Sequence, residues 1–254
     1  MGDCMKKYAL ITGASSGIGE EFAKQLSKDY HLILTARRED RLLRLKEKYH
    51  CDIIVADLSK EEDCFRVYDS IKDKKIDIFI NNAGFGDCGY FIETDMNKEL
   101  DMINVNIKAL HILTKLMLQH MMKYNEGYIL NVASSAGFIP AGPYMSTYYA
   151  TKSYVKSLTL GIAEEIKDSS LYIGCLCPGP VDTEFNSVAN VEFSLNGISK
   201  EYCVSYALKK MYNKKKIIIP GLMMKLVITL GKFLPVKLYV KIAAHQQKKK
   251  FIEK

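Results

Sequence analysis

The stretch TGASSGIG (residues 12–19) decides the fold, because it joins an apolar run, YALIT (8–12), to a helical pattern over 17–28. Its glycines at positions 13, 17 and 19 permit a tight turn and a close approach of a ligand to the backbone. The free N–H groups and the dipole of a helix N-terminus favour an anion at this point. An ordinary glycine-rich turn would show the same spacing, but the strand–turn–helix context favours the pyrophosphate of a dinucleotide.

Apolar runs and amphipathic helical patterns alternate outward from this turn. Strands are predicted over 8–12, 31–36, 52–56, 76–81, 127–133 and 171–177, and helices over 17–28, 39–49, 60–72, about 98–123 and 147–167. Near-continuous apolar strands separated by helices indicate a parallel sheet covered on both faces. The predicted fold is α/β: one doubly wound, Rossmann-type sheet that binds ligands at the carboxyl ends of its strands. Because no linker or repeat divides the chain, a single domain is expected over 1–254.

The composition is that of a globular protein that binds an anion. The 254 residues are 48% hydrophobic and 26% charged, which argues against disorder. The net charge of +7 arises in late lysine clusters at 209–216 and 248–250, without the interleaved aromatic residues that stack nucleic-acid bases. Seven cysteines lack zinc-ligand spacing, so reduced thiols and no metal site are expected. The first strand follows too soon for a signal peptide, and Lys6 replaces the Ser or Thr of a myristoylation signal, so a cytoplasmic protein is expected.

The residues after strand two bear on the choice of cofactor. An NAD-selective fold places a carboxylate there for the ribose 2′-hydroxyl, whereas this chain has Arg37 and Arg38. Guanidinium groups suit a 2′-phosphate, so NADP(H) is favoured, with Arg37 preferred because it comes first after the strand. A solvated basic helix start is the alternative. Asp57, after strand three, either accepts a hydrogen bond from an adenine amine or only begins the next helix.

STYYATK (146–152) places a phenol and an ammonium group on one helical face. Tyr148 and Lys152 are four residues apart, whereas Tyr149 points elsewhere. A chance surface pair is the simple interpretation of this stretch taken alone. The sharper hypothesis is that Tyr148 exchanges a proton with a substrate and that the Lys152 charge lowers its pKa.

Six motifs together indicate a family. TGASSGIG, NNAG (81–84), Asn106 in INVNIKA, Ser134 in NVASS, YYATK and PGPVDT (178–183) occur in order and at suitable spacing. Over residues 6–185 the chain thus resembles the short-chain dehydrogenase/reductase family. Its tail, with IIIPG (217–221) and LPVKLYVKI (234–242), is most similar to the hydroxysteroid dehydrogenases and long-chain ketoacyl reductases.

The resemblance implies a catalytic tetrad of Asn106, Ser134, Tyr148 and Lys152. In it Tyr148 transfers the proton, Lys152 lowers the tyrosine pKa and holds the nicotinamide ribose, and Ser134 hydrogen-bonds the substrate oxygen. Asn106 holds a water that relays protons from Lys152 to solvent.

The serine assignment depends on the direction of counting. Counting back from the tyrosine leads to Ser135, whereas counting forward from Gly127 leads to Ser134. A one-residue insertion in the loop 138–146 reconciles the two counts, and Ser134 is preferred.

The resemblance also implies the residues that bind the cofactor, with Thr183 bonding the nicotinamide carboxamide or a phosphate. They are Gly13, Ser15, Ser16, Gly17, Ile18, Gly19, Arg37, Arg38, Asp57, Leu58, Asn82, Ala83, Gly84, Tyr148, Lys152, Pro178, Gly179, Val181 and Thr183.

Two late regions bear on the substrate. Val188, Phe193 and Leu195 fall in 186–215, which by resemblance caps the substrate, and they suggest an apolar ligand. The extension 217–254 is apolar and basic, but charges and prolines interrupt it too often for a bilayer span. It covers the pocket, forms a subunit interface or lies on a membrane, and burial against protein is the default expectation.

The expected function is NADP(H)-dependent interconversion of a ketone and a secondary alcohol. An apolar substrate, a hydroxysteroid or similar lipid, is favoured, and a homodimer or homotetramer is expected. Reduction of small or acyl carbonyl compounds is the alternative within this class. A non-catalytic nucleotide sensor or scaffold is the alternative from another class, and the complete tetrad argues against it.

Overall fold

The sheet is parallel and seven-stranded in the computed structural model, which describes residues 7–185, 189 and 197–252. Its strands are β1 Tyr8–Thr12, β2 His31–Ala36, β3 Asp52–Val55, β4 Ile76–Asn81, β5 Tyr128–Val132, β6 Tyr172–Leu176 and β7 Ile217–Ile218. They lie in the order β3-β2-β1-β4-β5-β6-β7, so the strand order reverses between β1 and β4. A crevice at such a switch point, outside the carboxyl ends of the strands, is where open α/β sheets bind ligands.

Helices cover both faces of the sheet. They are α1 Gly17–Leu26, α2 Glu39–Tyr49, α3 Glu61–Asp69, α4 Met96–Ile103, α5 Leu110–Met122, α6 Ser146–Glu165, α7 Lys200–Tyr212, α8 Leu222–Gly231 and α9 Val236–Ile252. A π-helical segment, Asn104–Ala109, joins α4 to α5, and a 3₁₀ turn, Ser135–Phe138, follows β5. The core on one face contains α1, α2 and α7, and the core on the other contains α3, α5 and α6.

The predicted fold class is confirmed. Strands β1, β2 and β4 have the predicted bounds, β3 is one residue shorter at its end, and β5 and β6 are each one residue shorter at both ends. The helix expected over about 98–123 is instead α4, the π-helical segment and α5 in succession. Neither β7 nor α7 is predicted from the sequence, because the two residues of β7 show no alternation and α7 follows a region without clear periodicity.

The predicted substrate-capping region, 186–215, is only partly described. Val188, Phe193 and Leu195 lie outside the described residues. Residues 200–212 form α7, whose side chains Cys203, Val204, Ala207 and Met211 are fully buried in the core beside α1. This half of the region therefore covers the sheet and does not line the ligand cavity described below.

A row of buried polar side chains runs beneath the crevice. Asn81 donates to Thr114 (3.1 Å), Thr114 donates to Asn131 (3.1 Å), and Asn131 donates to Thr159 (3.0 Å). All four side chains are at most 2% exposed. Because an unpaired buried polar group costs about 1–3 kcal/mol, these bonds fix α5 and α6 against β4 and β5.

We predict that Asn131→Leu lowers the free energy of unfolding by about 1–3 kcal/mol, since it removes the central link of this row. Urea unfolding followed by circular dichroism measures the change. Asn97→Leu, at an exposed position, is the matched control and should stay within about 0.5 kcal/mol of the wild type. Equal unfolding midpoints for the two variants would contradict a structural role for the row.

Candidate active site

A cavity of about 510 Å³ opens at the carboxyl ends of the central strands. Every predicted cofactor-binding residue except Gly19 lines it, as do three of the predicted catalytic residues, Ser134, Tyr148 and Lys152. Asn106 lies behind the wall and is fully buried. One end of the cavity is the glycine-rich turn, and the other end is closed by side chains of α8 and α9.

The glycine-rich turn depends on backbone conformations that glycine adopts freely. Gly13 and Gly17 have φ of +64° and +57°. Gly19 serves packing, because a Cβ there would overlap the carbonyl oxygen of Gly13. The start of α1 can therefore lie directly against the turn, with its free N–H groups toward the cavity. This arrangement suits a pyrophosphate, as the sequence predicts.

The NNAG segment has a structural role that the sequence analysis missed. The Thr12 hydroxyl accepts hydrogen bonds from the backbone N–H groups of Asn82 (2.8 Å) and Ala83 (3.0 Å). The Asn82 side chain in turn donates to the Thr12 carbonyl at 3.0 Å. Asn82 and Ala83 therefore bind the end of β1 and hold the glycine-rich turn in place, in addition to lining the cavity.

Two arginines and a glutamate lie beside the turn. Arg38 donates to the hydroxyls of Ser15 (3.2 Å) and Ser16 (2.7 Å) and to Glu184 (3.1 Å). Arg41 pairs with the same carboxylate at 2.8 Å. Together the Arg41 and Arg38 guanidinium groups hold the pKa of Glu184 below its usual value. The sequence analysis named neither Arg41 nor Glu184, which are 143 positions apart.

Arg37, the residue that the sequence analysis preferred, is placed differently. It lines the cavity but is exposed, and it makes no hydrogen bond or ion pair within the described residues. The strand ends at Ala36, and Arg38 takes the position before the first turn of α2. The contacts therefore favour Arg38 over Arg37 as the residue nearest the pyrophosphate end of the cavity.

Tyr148 and Lys152 lie on one face of α6, as the sequence predicts. The Tyr148 hydroxyl is hydrogen-bonded to Ser134, and Lys152 donates to the Val132 carbonyl at 3.1 Å. The Lys152 nitrogen is 5.8 Å from the centre of the Tyr148 ring. Both residues are buried, with 8% and 4% of their surfaces exposed.

Burial is the main cause of the pKa shifts of Tyr148 and Lys152. It raises the pKa of Tyr148 well above its usual value, and the hydrogen bond with Ser134 opposes the rise only in part. The same loss of hydration lowers the pKa of Lys152 to about 8. The expected lowering of the Tyr148 pKa is therefore not found, because desolvation of the phenolate, together with the neighbouring Tyr149, outweighs the Ser134 hydrogen bond.

Ser134 is the serine that meets the tyrosine. Its hydroxyl also accepts from the backbone N–H of Ala136 at 3.1 Å, which caps the 3₁₀ turn. The neighbouring Ser135 instead donates its backbone N–H to the Pro178 carbonyl at 2.7 Å. This geometry favours the forward count, which selects Ser134, and its catalytic role stays a prediction.

Asn106 lies in the π-helical segment, a feature that occurs frequently at functional sites. Its side-chain amide donates to the Phe85 carbonyl (2.9 Å) and to Thr151 (3.1 Å), and its oxygen accepts from the Phe85 N–H (3.1 Å). A Cβ on Gly84 would come within 2.9 Å of this oxygen and 3.2 Å of the Lys152 nitrogen. The side chain thus positions Phe85 and Thr151, and the role of Asn106 in a water relay stays a prediction.

The far end of the cavity contains residues that the sequence analysis missed. Tyr149, predicted to point away from the face that carries Tyr148 and Lys152, accepts a hydrogen bond from Gln247 of α9, 98 positions later in the chain. Tyr239 and Ala243 of the same helix also line the cavity. Phe185 packs against the Tyr148 ring with the ring centres 5.5 Å apart. The tail therefore lines the end of the cavity that lies farthest from the glycine-rich turn.

Comparison with known proteins identifies the family. The family model described as short chain dehydrogenase matches residues 7–192. This chain belongs to the short-chain dehydrogenase/reductase family. A solved short-chain dehydrogenase from Sphingobium yanoikuyae in complex with NADPH superposes with a TM-score of 0.78 at 28% identity, covering 90% of this chain and 96% of that one.

Two curated relatives within this family are similar to the chain over most of its length. A very-long-chain 3-oxoacyl-CoA reductase of Anas platyrhynchos is 31% identical over 205 residues, or 76% of this chain and 65% of that protein. Inactive hydroxysteroid dehydrogenase-like protein 1 of Homo sapiens is 29% identical over 201 residues, or 74% of this chain and 61% of that protein. The chain thus matches less than two thirds of the length of these relatives.

We predict that Ser134→Ala lowers kcat by on the order of a hundredfold, because one hydrogen-bond donor to the substrate oxygen is lost. Ser135→Ala is the matched control and should change kcat by no more than a few-fold, since the contact of Ser135 with Pro178 uses its backbone. Steady-state kinetics at saturating cofactor measure both variants. A larger loss for Ser135→Ala would show that the geometric assignment is wrong.

Proposed function

We propose that this short-chain dehydrogenase interconverts a ketone and a secondary alcohol on an apolar substrate with NADP(H) as cofactor. The buried, hydrogen-bonded Tyr148–Ser134 pair beside Lys152 carries this proposal. It lies between the glycine-rich turn, which suits a dinucleotide, and the apolar end of the cavity. A reacting carbonyl held here would reach a proton donor and a second hydrogen-bond donor at once.

Each side chain has a physical role in the proposed reaction. In reduction, Tyr148 donates its proton to the carbonyl oxygen while Ser134 hydrogen-bonds that oxygen. Lys152, whose pKa is about 8, is mostly protonated at pH 7 and stabilises the phenolate that remains. The nicotinamide cofactor, when bound, supplies or accepts the hydride. In oxidation Tyr148 removes the alcohol proton.

The preference for NADP(H) rests on the arginines beside the turn. Arg38 and Arg41 already bind one anionic group, the Glu184 carboxylate, next to Ser15 and Ser16. A 2′-phosphate offers a greater charge and more acceptor oxygens than this carboxylate, so it would compete for the same donors. The NADPH bound by the Sphingobium yanoikuyae relative, at 28% identity, supports the same choice.

We predict that Arg38→Ala lowers kcat/KM for NADP(H) by roughly tenfold or more while changing that for NAD(H) only a few-fold, since the lost interaction is with a phosphate. Kinetics with both cofactors measure the ratio. Arg37→Ala is the matched control, and we expect a smaller effect because Arg37 is exposed and has no hydrogen-bond or ion-pair partner among the described residues. A larger effect of Arg37→Ala would show that Arg37, the first residue after the strand, binds the 2′-phosphate and that Arg38 does not.

The substrate end of the cavity favours a large apolar ligand. Met145, Phe185, Met224, Val227 and Ile242 line it. At about 25 cal/mol per Å² of apolar surface, a steroid-sized or long-acyl substrate would gain several kcal/mol that a three-carbon ketone cannot. A hydroxysteroid or similar lipid is therefore our preferred substrate class, and the 3-oxoacyl relative keeps acyl carbonyl compounds as the second candidate.

The experiment that tests this function is turnover by the purified chain. NADPH oxidation and NADP⁺ reduction are followed with steroid, long-acyl and small aliphatic ketones and alcohols. We expect kcat/KM to rise steeply with the apolar size of the substrate, and Tyr148→Phe to abolish turnover while cofactor affinity stays within a few-fold. Equal efficiency with acetone-sized and steroid-sized ketones would contradict the large pocket.

The non-catalytic alternative is distinguished by the same assay. One human relative is named inactive, so membership of the family does not establish turnover. A protein that only binds nucleotide has no use for a buried acid beside a buried lysine, which favours the enzyme. Binding of NADP(H) without turnover of any substrate would support the sensor or scaffold.

We propose a homo-oligomer located in the cytoplasm. Met96, Leu100 and Ile103 form an exposed apolar stripe on α4. Such a stripe is typical of a contact between subunits.

A further inference from the structure

The α8–α9 segment has one side against the protein and another toward solvent. On the inner side Ile228, Gly231, Tyr239, Ala243 and Gln247 are buried. The outer side carries large apolar residues that are between 46% and 83% exposed: Leu222, Leu226, Leu230, Phe233, Val236 and Leu238. We call these six residues the outer apolar face. A face of this kind that stays in water is unusual for a soluble protein and indicates a binding surface.

The charged residues of the segment that forms this face are all of one sign. From Tyr202 to Ile252 the sequence contains twelve lysines and no aspartate or glutamate. The whole chain has 36 basic and 29 acidic residues. The part of the chain outside this segment therefore has 24 basic and 29 acidic residues, an excess of negative charge. Lys232, Lys237 and Lys241 are exposed beside the outer apolar face. The partner that fits must therefore be apolar and negatively charged.

We propose that the outer apolar face docks on the surface of an anionic lipid membrane. Exposed leucine, phenylalanine and valine side chains enter the boundary between headgroups and acyl chains, and lysines bind the anionic headgroups. None of the described helices has the length and apolar content to cross a bilayer, so contact is peripheral. A second copy of this chain fits poorly, because a symmetric interface would oppose lysines to lysines with no carboxylate between them.

The cavity wall continues into this surface. Val227 and Ile242 line the cavity and are also 47% and 43% exposed. An apolar substrate dissolved in the membrane would thus enter the site without crossing water. This entry route rests on the proposed function, whereas docking itself does not.

A contrasting apolar surface provides the control. Phe91 is 64% exposed before α4, but Glu93, Asp95 and Glu99 follow it closely in the chain. Acidic neighbours disfavour an anionic membrane at that position. Phe91→Ser therefore removes another exposed aromatic ring, 64% exposed against 82% for Phe233, without changing the proposed docking surface.

Vesicle flotation of the purified full chain tests the proposal. Vesicles of phosphatidylcholine are compared with vesicles that contain roughly 30 mol% phosphatidylserine. We expect flotation with the anionic vesicles, little with phosphatidylcholine alone, and a marked loss when NaCl rises from about 0.1 M to about 0.5 M. Phe233→Ser and the double variant Lys232→Glu/Lys237→Glu should each lower the partition coefficient by on the order of tenfold or more.

Matched variants and competing outcomes make the test decisive. Phe91→Ser and the double variant Lys28→Glu/Lys123→Glu, at exposed positions elsewhere, should float like the wild type. Absence of flotation, or flotation that ignores vesicle charge, overturns the proposal. A change of mass in light scattering for Phe233→Ser without any change in flotation assigns the face to a second copy. Capture by polyglutamate without vesicle binding assigns it to an acidic protein.

Turnover of a small water-soluble ketone by the same variants reports on the proposed reaction separately. Phe233, Lys232 and Lys237 do not line the cavity, so this activity should be retained. If the protein floats with anionic vesicles but turns over no substrate, the docking proposal stands and only the proposed route of substrate entry is contradicted.

Discussion

The hydroxyl of Thr12 is the interaction on which the two halves of the site depend. It accepts from the backbone N–H groups of Asn82 and Ala83 and donates to the Asn81 side chain at 3.4 Å. The first two bonds hold the glycine-rich turn, and the third joins the buried row that continues through Asn131 to α6. One oxygen atom thus connects the dinucleotide crevice to the helix that carries Tyr148 and Lys152.

The site buries ionisable groups away from water, and this burial lowers the stability of the fold. Lys152 titrates at about 8 in the folded chain, below the value of roughly 10.4 for a free lysine. The unfolded chain therefore binds more protons between these two values, and the stability contributed by this residue rises with pH across that window. At neutral pH the buried ammonium group destabilises the fold. A charge kept at such a cost is typical of a functional site.

Features that depend on residues close together in the sequence were predicted better than contacts between residues far apart in the sequence. The turn at 12–19 and the Tyr148–Lys152 pair are set by spacings of a few residues, and both lie where the sequence analysis places them. The Tyr149–Gln247 bond and the pairing of Arg41 with Glu184 join distant positions, and no periodicity marks them. The choice between Arg37 and Arg38 was not predictable either, although the ends of β2 and α2 were predicted correctly, because it depends on the contacts of Arg38 with Ser15 and Ser16, more than twenty positions earlier. The role of the tail, which forms α8 and α9, was the least predictable from sequence, because its apolar residues lie both in the interior and on the surface.

Glu184 and Phe185 are consecutive residues that contact opposite ends of the cavity. The carboxylate of Glu184 neutralises the arginines at the phosphate end, while the ring of Phe185 lies on Tyr148. An anion bound by Arg38 and Arg41 would compete with Glu184 for these donors, and the next residue is the one whose ring packs on Tyr148. A shift of Glu184 at one end of the cavity would therefore reach the other end through a single peptide bond.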